Sequence, residues 1–341
     1  MNMKLLTLVV PVYNTEKYIK RCLDSVVLKE IIDDIEILII SDGSKDKSIQ
    51  IAKEYEKLYP NSITVIEKEN GGHGSTINKG LEEANGKYFR VLDSDDWFNS
   101  RNFIEFVEKL KNEDSDLIVT DYSQEHIYNN DSIYIKYTSL ENSKTYDFDT
   151  MDLRLLNGEY FVMATSTYKT CLLRESGLSL FEKTYYVDMQ YNIIAFSKVK
   201  SITYYSLDIY RYFIGRKEQS NNFNSLVRNQ DNHEKVMRFL VDYYTNNYSL
   251  FSDNKKEYYK LIIYYMLYTH YSIYCIYDIN HKNAYNKILN FDNYLKTVNP
   301  DLYAKSDIEI IKANRKTHFV FTKINGKRFN KCINFLKMFR R

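Results

Sequence analysis

Four apolar runs in the first hundred residues are each followed by a short polar cluster. Between the runs lie segments whose apolar residues have helical spacing. The runs span residues 5–13, 35–40, 63–66 and 88–92. Continuous apolar runs of this length are typical of strands buried on both faces of a parallel sheet. Their alternation with helices predicts right-handed βαβ units. The expected fold class is therefore α/β, with a mostly parallel, Rossmann-like sheet and helices on both faces.

The intervening segments supply the helices. Helical spacing and breakers predict helices over residues 15–28 (with Thr15 as the cap), 46–58, 74–84 and 102–110, and a fifth strand over 117–120. Farther along, residues 188–196 read as a helix and 202–213 as one or two strands. Helical spacing dominates from about residue 224. We therefore predict an α/β domain over residues 1–223 and a helical region over 224–341.

The polar clusters fall where a parallel sheet binds ligands. Tyr13-Asn14, Asp42-Gly43, residues 67–74 and residues 93–96 all follow predicted strands. In open α/β sheets, ligands bind beyond the carboxyl ends of the strands. The sequence therefore predicts one binding site assembled from these four clusters.

The cluster at residues 91–97 (Val-Leu-Asp-Ser-Asp-Asp-Trp) carries paired carboxylates. Asp93 and Asp95 flank Ser94 at the end of an apolar run. Carboxylate oxygens suit Mg²⁺ or Mn²⁺, and such a cation also binds phosphates. Asp and Ser also favour plain turns and caps. The three neighbouring clusters favour a metal site for a diphosphate.

Composition excludes several classes. The net charge of +2 argues against nucleic-acid binding. The four cysteines are far apart, so neither a zinc site nor a disulfide framework is expected, and a reducing cytoplasm fits best. The apolar run at the start is short and lacks a cleavage site, so no signal peptide is expected. Residues 261–277 contain no Asp, Glu, Lys or Arg, but they include His270 and are shorter than the roughly 20 residues that span a bilayer, so a buried or interfacial helix is expected.

The last thirty residues are basic and rich in phenylalanine. No acidic residue follows Glu309, and many lysines and arginines lie among Phe and Leu side chains. This pattern favours peripheral contact with an anionic membrane surface, on its cytoplasmic face. A solvated terminal helix is the alternative. The helical region as a whole could hold an acceptor, form a homodimer or contact the membrane.

Four motifs together resemble a known family. Residues 11–14 (Pro-Val-Tyr-Asn), 41–44 (Ser-Asp-Gly-Ser), 70–72 (Asn-Gly-Gly) and 93–97 (Asp-Ser-Asp-Asp-Trp) occur in the order and spacing of family 2 glycosyltransferases. The resemblance covers about residues 5–215. It implies the GT-A fold and an inverting transfer of a sugar from a nucleotide-sugar.

The resemblance also implies donor-binding roles. Tyr13 would stack on the nucleotide base, in a pocket shaped by Pro11 and Asn14. Asp42 would accept a hydrogen bond from a donor-bearing base such as uracil. Helix capping is the alternative for Asp42.

The glycine-rich loop would lie under the ribose and diphosphate. It comprises Asn70, Gly71, Gly72 and His73, and glycines let the backbone approach a ligand closely. The following helix terminus favours anions. Relatives often carry arginine where this chain has Ile77, and His73, Ser75 or Lys79 could replace that charge in part. For His73, a solvent-exposed loop side chain is the alternative.

The remaining implied roles concern catalysis. Asp93 would meet the ribose or the metal, Ser94 would lie between the two carboxylates, and Asp95 would bind Mn²⁺ or Mg²⁺. Asp96 and Trp97 would shape the sugar site. Relatives often place the base in a Glu-Asp pair, which here reads Val187-Asp188. Asp188 is thus the candidate base, although it could also cap the helix that follows it.

A segment after residue 210 resembles one that closes over the donor in relatives. It includes Arg211-Tyr212 and residues 215–220, where Arg216 would contact the diphosphate. A plain surface loop is the alternative.

The expected function is transfer of one sugar from a UDP-sugar to a hydroxyl of a lipid-linked or polymeric surface glycan. A nucleotidyltransferase that makes nucleotide-sugars shares the sheet and the metal carboxylates, but it usually has a glycine-rich loop after the first strand. A non-catalytic glycan-binding subunit is the third alternative, because Ile77 and Val187 depart from the family pattern.

Overall fold

The computed structural model describes residues 3–126, 128, 131–215, 223–278, 281–306, 308–320 and 322. The chain divides into two compact units, Met1–Lys217 and Glu218–Arg341. The domain boundary expected from the sequence, between residues 223 and 224, stays a prediction.

A mixed sheet forms the centre of the first unit. Its strands are β1 (Leu6–Val12), β2 (Ile35–Asp42), β3 (Ile63–Lys68), β4 (Tyr88–Val91), β5 (Trp97–Phe98), β6 (Leu117–His126), β7 (Ser132–Ile135), β8 (Lys144–Asp147), β9 (Ser166–Lys169) and β10 (Ser201–Ile214). The main path of the sheet runs in the order β3-β2-β1-β4-β9-β6-β10-β5, while β7 pairs with β6 and β8 with β10.

The predicted parallel strands are confirmed. β3, β2, β1 and β4 pair in parallel, as do β6 and β10. All seven residues of β1 are buried, which explains its unbroken apolar run. Val9 pairs with Leu38 on one side and Val91 on the other. The carboxyl ends of β1, β2 and β4 therefore meet at one edge of the sheet.

Helices connect and cover these strands. In the first unit they are α1 (Ile19–Val26), α2 (Ser48–Leu58), α3 (His73–Glu83), α4 (Ser100–Leu110), α5 (Thr170–Glu175) and α6 (Val187–Ala195). The predicted cap at Thr15 is wrong, because α1 begins at Ile19 without a side-chain cap and the Thr15 hydroxyl donates to Ser94 Oγ (3.0 Å). The strand at residues 202–213 is a single long β10.

The second unit is helical over the residues that the structure describes. Its helices are α7 (Phe223–Arg228), α8 (Gln230–Asn246), α9 (Asp253–Ser272), α10 (His281–Val298), α11 (Pro300–Lys305) and α12 (Glu309–Lys316). The apolar segment at residues 261–277 forms the last part of α9 and a π-helical turn, Ile273–Tyr277. Among the described helices, none combines the length and apolarity needed to span a bilayer. The basic tail lies, from residue 323 onward, outside the described residues.

Gly86 shows how tightly the sheet is packed before β4. A Cβ at this position would lie 2.4 Å from the backbone nitrogen of Thr7 and 2.6 Å from the carbonyl carbon of Leu6. Because backbone atoms cannot step aside as a flexible side chain can, Gly86→Ala should destabilise the protein by about 1–3 kcal/mol. Urea unfolding of Gly86→Ala against the exposed control Glu54→Ala measures this. Equal stability of the two variants would contradict the packing argument.

Candidate active site

The end of β1 presents an exposed aromatic ring beside the end of β2. Tyr13 follows β1 directly and is 54% exposed, whereas Pro11 is buried inside the strand. Asn14 has a left-handed backbone (φ 53°) and ties the two strand ends together. Its N–H donates to Ser44 Oγ (3.2 Å), and its Oδ1 accepts from the Lys45 N–H (2.8 Å). The ring of Tyr13 is thereby offered to solvent on a fixed backbone.

Asp42, the last residue of β2, holds the glycine-rich loop. Its Oδ1 accepts from the N–H of Gly71 (2.7 Å), and its Oδ2 accepts from the N–H of Gly72 (2.8 Å). Asn70 reaches back to the Asp42 carbonyl through Nδ2 (3.0 Å). Asp42 does not cap α2, whose first residue is Ser48. Asp42 is 3% exposed, and its buried carboxylate holds the backbone of the loop in place.

The glycines of the loop make room for another part of the chain. A Cβ on Gly74 would lie 2.4 Å from the carbonyl oxygen of Phe181, and one on Gly72 would lie 3.0 Å from the nitrogen of Lys183. The Lys183 N–H donates to the Gly71 carbonyl (2.5 Å). Gly72 also has φ 83°, which favours glycine. The sequence predicted that these glycines let a ligand approach the backbone closely. In the structure, residues 181–183 of the chain itself approach Gly72 and Gly74 closely.

This crossing segment leads into α6. Asn78 on α3 bonds both the carbonyl and the N–H of Leu180 (2.9 and 2.8 Å), and Gln190 Oε1 accepts from the Phe181 N–H (2.9 Å). Tyr186, which precedes α6, has a left-handed backbone (φ 65°). Tyr186 is the N-cap of the helix, so the expectation that Asp188 is the N-cap is wrong. Asp188 is the second residue of the helix, and its carboxylate accepts from the backbone N–H groups of Asp188 and Met189. These contacts bring Asp188 toward the start of α3.

The acidic cluster forms a tight turn after β4. His73 Nε2 lies 2.8 Å from Asp93 Oδ1, and each side chain is about one-third exposed. The Asp96 N–H donates to the Asp93 carbonyl (2.9 Å). Ser94 is buried and accepts from Thr15, so it supports the turn from within. Asp93 and Asp95 remain partly accessible to solvent.

Asp96 faces the interior, which corrects the expected role for it in the sugar site. It is 1% exposed; the Tyr210 hydroxyl donates to its Oδ2 (2.6 Å), and the Phe213 N–H donates to its Oδ1 (2.8 Å). Burial, together with repulsion by Asp93, raises the pKa of Asp96 well above its ordinary value. Asp96 therefore anchors the acidic turn to β10 and has no open face for a sugar.

Arg21 is a supporting residue that the sequence did not reveal. Its guanidinium lies 3.6 Å from the ring centroid of Trp97 and 4.4 Å from that of Phe213. Its Nη2 donates to the Asp95 carbonyl (3.0 Å). Burial lowers the pKa of Arg21. Arg21 lies in an ordinary amphipathic helix, so its sequence context does not predict this role. The fold places it against the acidic turn.

Electrostatics link the three acidic and basic groups of the site. For His73, burial alone would lower the pKa, but the carboxylate of Asp93 outweighs burial and raises it. For Asp188, burial raises the pKa, and the nearby His73 offsets this only in part. Asp188 thus lies within electrostatic range of both His73 and Asp93. A carboxylate with a raised pKa is a better proton acceptor than an exposed one.

Lys68 is a cation beside the glycine-rich loop, and no motif in the sequence indicated it. Its Nζ lies 3.1 Å from Asp42 Oδ1. Lys79, expected as a replacement charge, instead pairs with Glu82 and Glu83 along α3. Ile77 is fully buried.

The segment expected to close over the donor is only partly described. Arg211-Tyr212 belongs to β10, where Arg211 is held by Glu125 (3.2 Å) and Asp208 (2.8 Å), so these two residues are part of the sheet. Arg216 lies outside the described residues.

The carboxylates of Asp93 and Asp95 suit one divalent cation that both would bind. Asp93 and Asp95 are partly exposed and present the oxygen ligands that Mg²⁺ and Mn²⁺ prefer. Among the described residues, no cluster of three or more His, Cys, Asp or Glu side chains could hold a metal alone. Mg²⁺ commonly binds through one or two carboxylates plus substrate phosphates and water. The donor set fits an ion that is completed by a diphosphate.

Comparison with known proteins assigns the chain to a family. Residues 7–176 match the model of glycosyl transferase family 2, and the chain belongs to that family. EpsH of Bacillus subtilis (strain 168), named as a glycosyltransferase, is 42% identical over 119 residues, which cover 35% of this chain and 34% of that protein. The poly(ribitol-phosphate) beta-glucosyltransferase of Bacillus spizizenii is 36% identical over 115 residues, covering 33% of this chain and 18% of that protein. The matches thus span about a third or less of these relatives.

Solved structures extend the likeness to nearly the whole chain. Residues 1–349 of S. aureus TarS in complex with UDP-GlcNAc give a TM-score of 0.68 at 18% identity, covering 96% of this chain and 92% of that one. The UDP complex of the same protein gives a TM-score of 0.64 at 16% identity. These neighbours confirm the GT-A fold followed by a helical region.

Proposed function

We propose that this protein is an inverting glycosyltransferase that moves one sugar from a UDP-sugar to a hydroxyl of a surface-glycan acceptor. The observation that carries the proposal is the meeting of Asp93, His73 and Asp188 beside the glycine-rich loop of a family 2 domain. Asp93 can help to bind a metal ion for the departing diphosphate, while Asp188 can accept the proton of the attacking hydroxyl.

Donor binding is assigned to the ends of β1 and β2 and to the loop. Tyr13 offers an exposed ring for the base, beside Pro11 and Asn14. The loop residues Asn70, Gly71 and Gly72 are held by Asp42, and His73 begins α3, whose terminus favours the diphosphate. The TarS complex with UDP-GlcNAc supports UDP as the carrier.

Asp93 and Asp95 would hold Mn²⁺ or Mg²⁺. When bound, such an ion neutralises negative charge on the leaving diphosphate. The chain itself keeps both carboxylates in place: His73 orients Asp93, and Arg21 holds the backbone carbonyl of Asp95. Ser94 and the buried Asp96 stiffen the turn from below.

Asp188 is the proposed general base. It would take the proton from the acceptor hydroxyl while that oxygen attacks the anomeric carbon, on the face opposite the diphosphate. The anomeric bond to the diphosphate breaks as the new bond forms, so the configuration inverts. Because burial raises its pKa, Asp188 has more affinity for that proton than an exposed aspartate would.

The acceptor and the location are proposed from the relatives and from the basic tail. Relatives include the poly(ribitol-phosphate) beta-glucosyltransferase, which favours a polymeric or lipid-linked surface glycan as acceptor. We place the enzyme at the cytoplasmic face of the membrane, in peripheral contact through its basic tail. A homodimer through the C-terminal helices remains part of the proposal.

A thermal-shift screen of nucleotide-sugars with Mn²⁺ tests the donor. A ligand that binds the folded state raises the melting temperature by mass action. UDP-sugars should raise it more than GDP- or CDP-sugars. Release of UDP only when an acceptor glycan is present would support transfer. Pyrophosphate release from UTP and a sugar phosphate would instead indicate a nucleotidyltransferase, and UDP binding without turnover would indicate a non-catalytic subunit.

Tyr13→Ala should weaken UDP binding by about 1–3 kcal/mol, because stacking of a base on an aromatic ring contributes about that much. Tyr13→Phe keeps the ring and is the matched control. Titration calorimetry with UDP measures both. Because Tyr13 is half-exposed, neither substitution should change stability by more than about 0.5 kcal/mol. Equal affinity of the two variants would exclude stacking.

A further inference from the structure

Tyr212 lies on the strand that holds the acidic turn in place. The carboxylate of Asp96 accepts from the Tyr210 hydroxyl (2.6 Å) and from the Phe213 N–H (2.8 Å), so it bridges two residues of β10. The Tyr210 hydroxyl in turn accepts from the Asp93 N–H (3.3 Å). The stretch of β10 that contains Tyr212 is therefore fixed against the turn that carries the proposed metal ligands.

Strand geometry directs Tyr212 to the same face of the sheet as Tyr210. The pairing of β10 with β6 is regular from Tyr210 to Ile214, so side chains alternate between the two faces there. β4 and β6 both run antiparallel to β9, and β10 runs parallel to β6, so the carboxyl ends of β4 and β10 lie at one edge. Tyr212 is two residues, roughly 7 Å, nearer to that edge than Tyr210. Tyr210 is 2% exposed, whereas Tyr212 is partly accessible to solvent.

The charges around Tyr212 belong to both halves of the proposed reaction. Burial raises the pKa of Tyr212, and the carboxylates of Asp96, Asp93 and Asp188 raise it further. The phenol therefore keeps its proton and stays neutral. It lies within electrostatic range of Asp93, the proposed metal ligand, and of Asp188, the proposed base.

In the proposed reaction, the transferred sugar occupies the space between these two carboxylates. The acceptor hydroxyl attacks the anomeric carbon from the face opposite the diphosphate, so the base and the metal ion lie on opposite sides of the sugar. Asp96 is buried and does not line this space. A phenol both donates and accepts hydrogen bonds, as sugar hydroxyls do. Because it is neutral, it competes with neither the base for a proton nor the carboxylates for the metal ion.

We propose that the Tyr212 hydroxyl binds a hydroxyl of the transferred sugar and so helps to select the sugar of the nucleotide donor. This inference rests on the proposed function and assigns a residue to the sugar, whereas Tyr13 and the glycine-rich loop would bind the nucleotide. Removing the hydroxyl should therefore affect a nucleotide-sugar but not the nucleotide alone.

Titration calorimetry at one fixed Mn²⁺ concentration tests this, with UDP and with three UDP-sugars (UDP-GlcNAc, UDP-glucose and UDP-galactose). Tyr212→Phe keeps the ring and its packing. It should weaken the UDP-sugar that the wild-type protein binds most tightly by about threefold to tenfold, the loss expected for one hydrogen bond. UDP affinity should stay within about twofold. Tyr146→Phe, which removes a hydroxyl from β8 at the opposite end of β10, is the matched control and should change neither affinity.

The ratio of the two affinities separates sugar binding from a purely structural role. If Tyr212→Phe weakens UDP and the UDP-sugar equally, the hydroxyl only supports the acidic turn and the assignment is wrong. Unchanged affinity for the UDP-sugar would also overturn it, as would a wild-type protein that binds UDP but none of the three UDP-sugars. Should Tyr212→Phe fold poorly, Tyr212→Leu gives the same ratio. If the wild-type protein binds neither UDP nor a UDP-sugar, the proposed function itself fails.

Discussion

Asp188→Asn should reduce sugar transfer by about 10²–10⁴-fold, the usual contribution of a positioned general base. Asparagine has nearly the same shape, and its side-chain oxygen can still accept from the backbone N–H groups of residues 188 and 189, so the fold should persist. Donor affinity should stay within about threefold of the wild-type value. Initial rates of UDP release with acceptor, together with UDP affinity, measure the two effects separately.

The pH profile provides an independent check on this base. Asp188 acts only when it is deprotonated, so activity is lost as pH falls through its pKa. Because burial raises that pKa, the acidic limb should lie above the value of about 4 that is ordinary for aspartate. Asp188→Glu should keep some activity with a shifted limb. If Asp188→Asn transferred sugar at the wild-type rate, another group would have to be the base.

Asp95→Ala should abolish metal-dependent transfer, with a loss of at least about 100-fold, because a bound ion contributes several kcal/mol of charge stabilisation. The turn itself should survive, since Arg21 bonds the backbone carbonyl of Asp95, which alanine keeps. Transfer rates over a range of Mn²⁺ concentrations measure the effect. A modest defect in metal affinity should be partly rescued by high Mn²⁺.

The exposed Asp114, which pairs with Lys87 and Lys169, provides the matched control for Asp95. Asp114→Ala removes the same charge at an ion pair outside the proposed site and should transfer sugar normally. Full activity of Asp95→Ala at every Mn²⁺ concentration would contradict the proposed metal role. Equal losses in both variants would indicate a general effect of charge.

Strands β1, β2 and β4 are predictable from the sequence because burial on both faces leaves unbroken apolar runs. Strand β9 is not, because its four residues carry no apolar run or clear alternation. It pairs antiparallel with β4 and β6, from a position far along the chain. Short strands of this kind are specified by their neighbours in the sheet rather than by their own sequence.

The residues of the candidate site, too, could be predicted from the sequence only in part. Asp93 and Asp95 are identifiable from spacing, and their position beyond a strand follows from the alternation of strands and helices. The sequence does not show that Asp96 faces the interior, where the fold directs it to Tyr210 and the backbone of Phe213. Likewise, Lys79 and Lys68 are equivalent by composition, yet only Lys68 reaches Asp42.

The sequence by itself determined the α/β class, the order of the main strands and the chemical groups at their ends, because each depends on local periodicity and residue type. Tertiary structure decided which groups meet. Asp188 approaches His73 through contacts between distant segments, such as the hydrogen bonds of Asn78 to Leu180, 102 residues farther along the chain. Such a pairing follows from how distant segments pack together, and no local pattern encodes it.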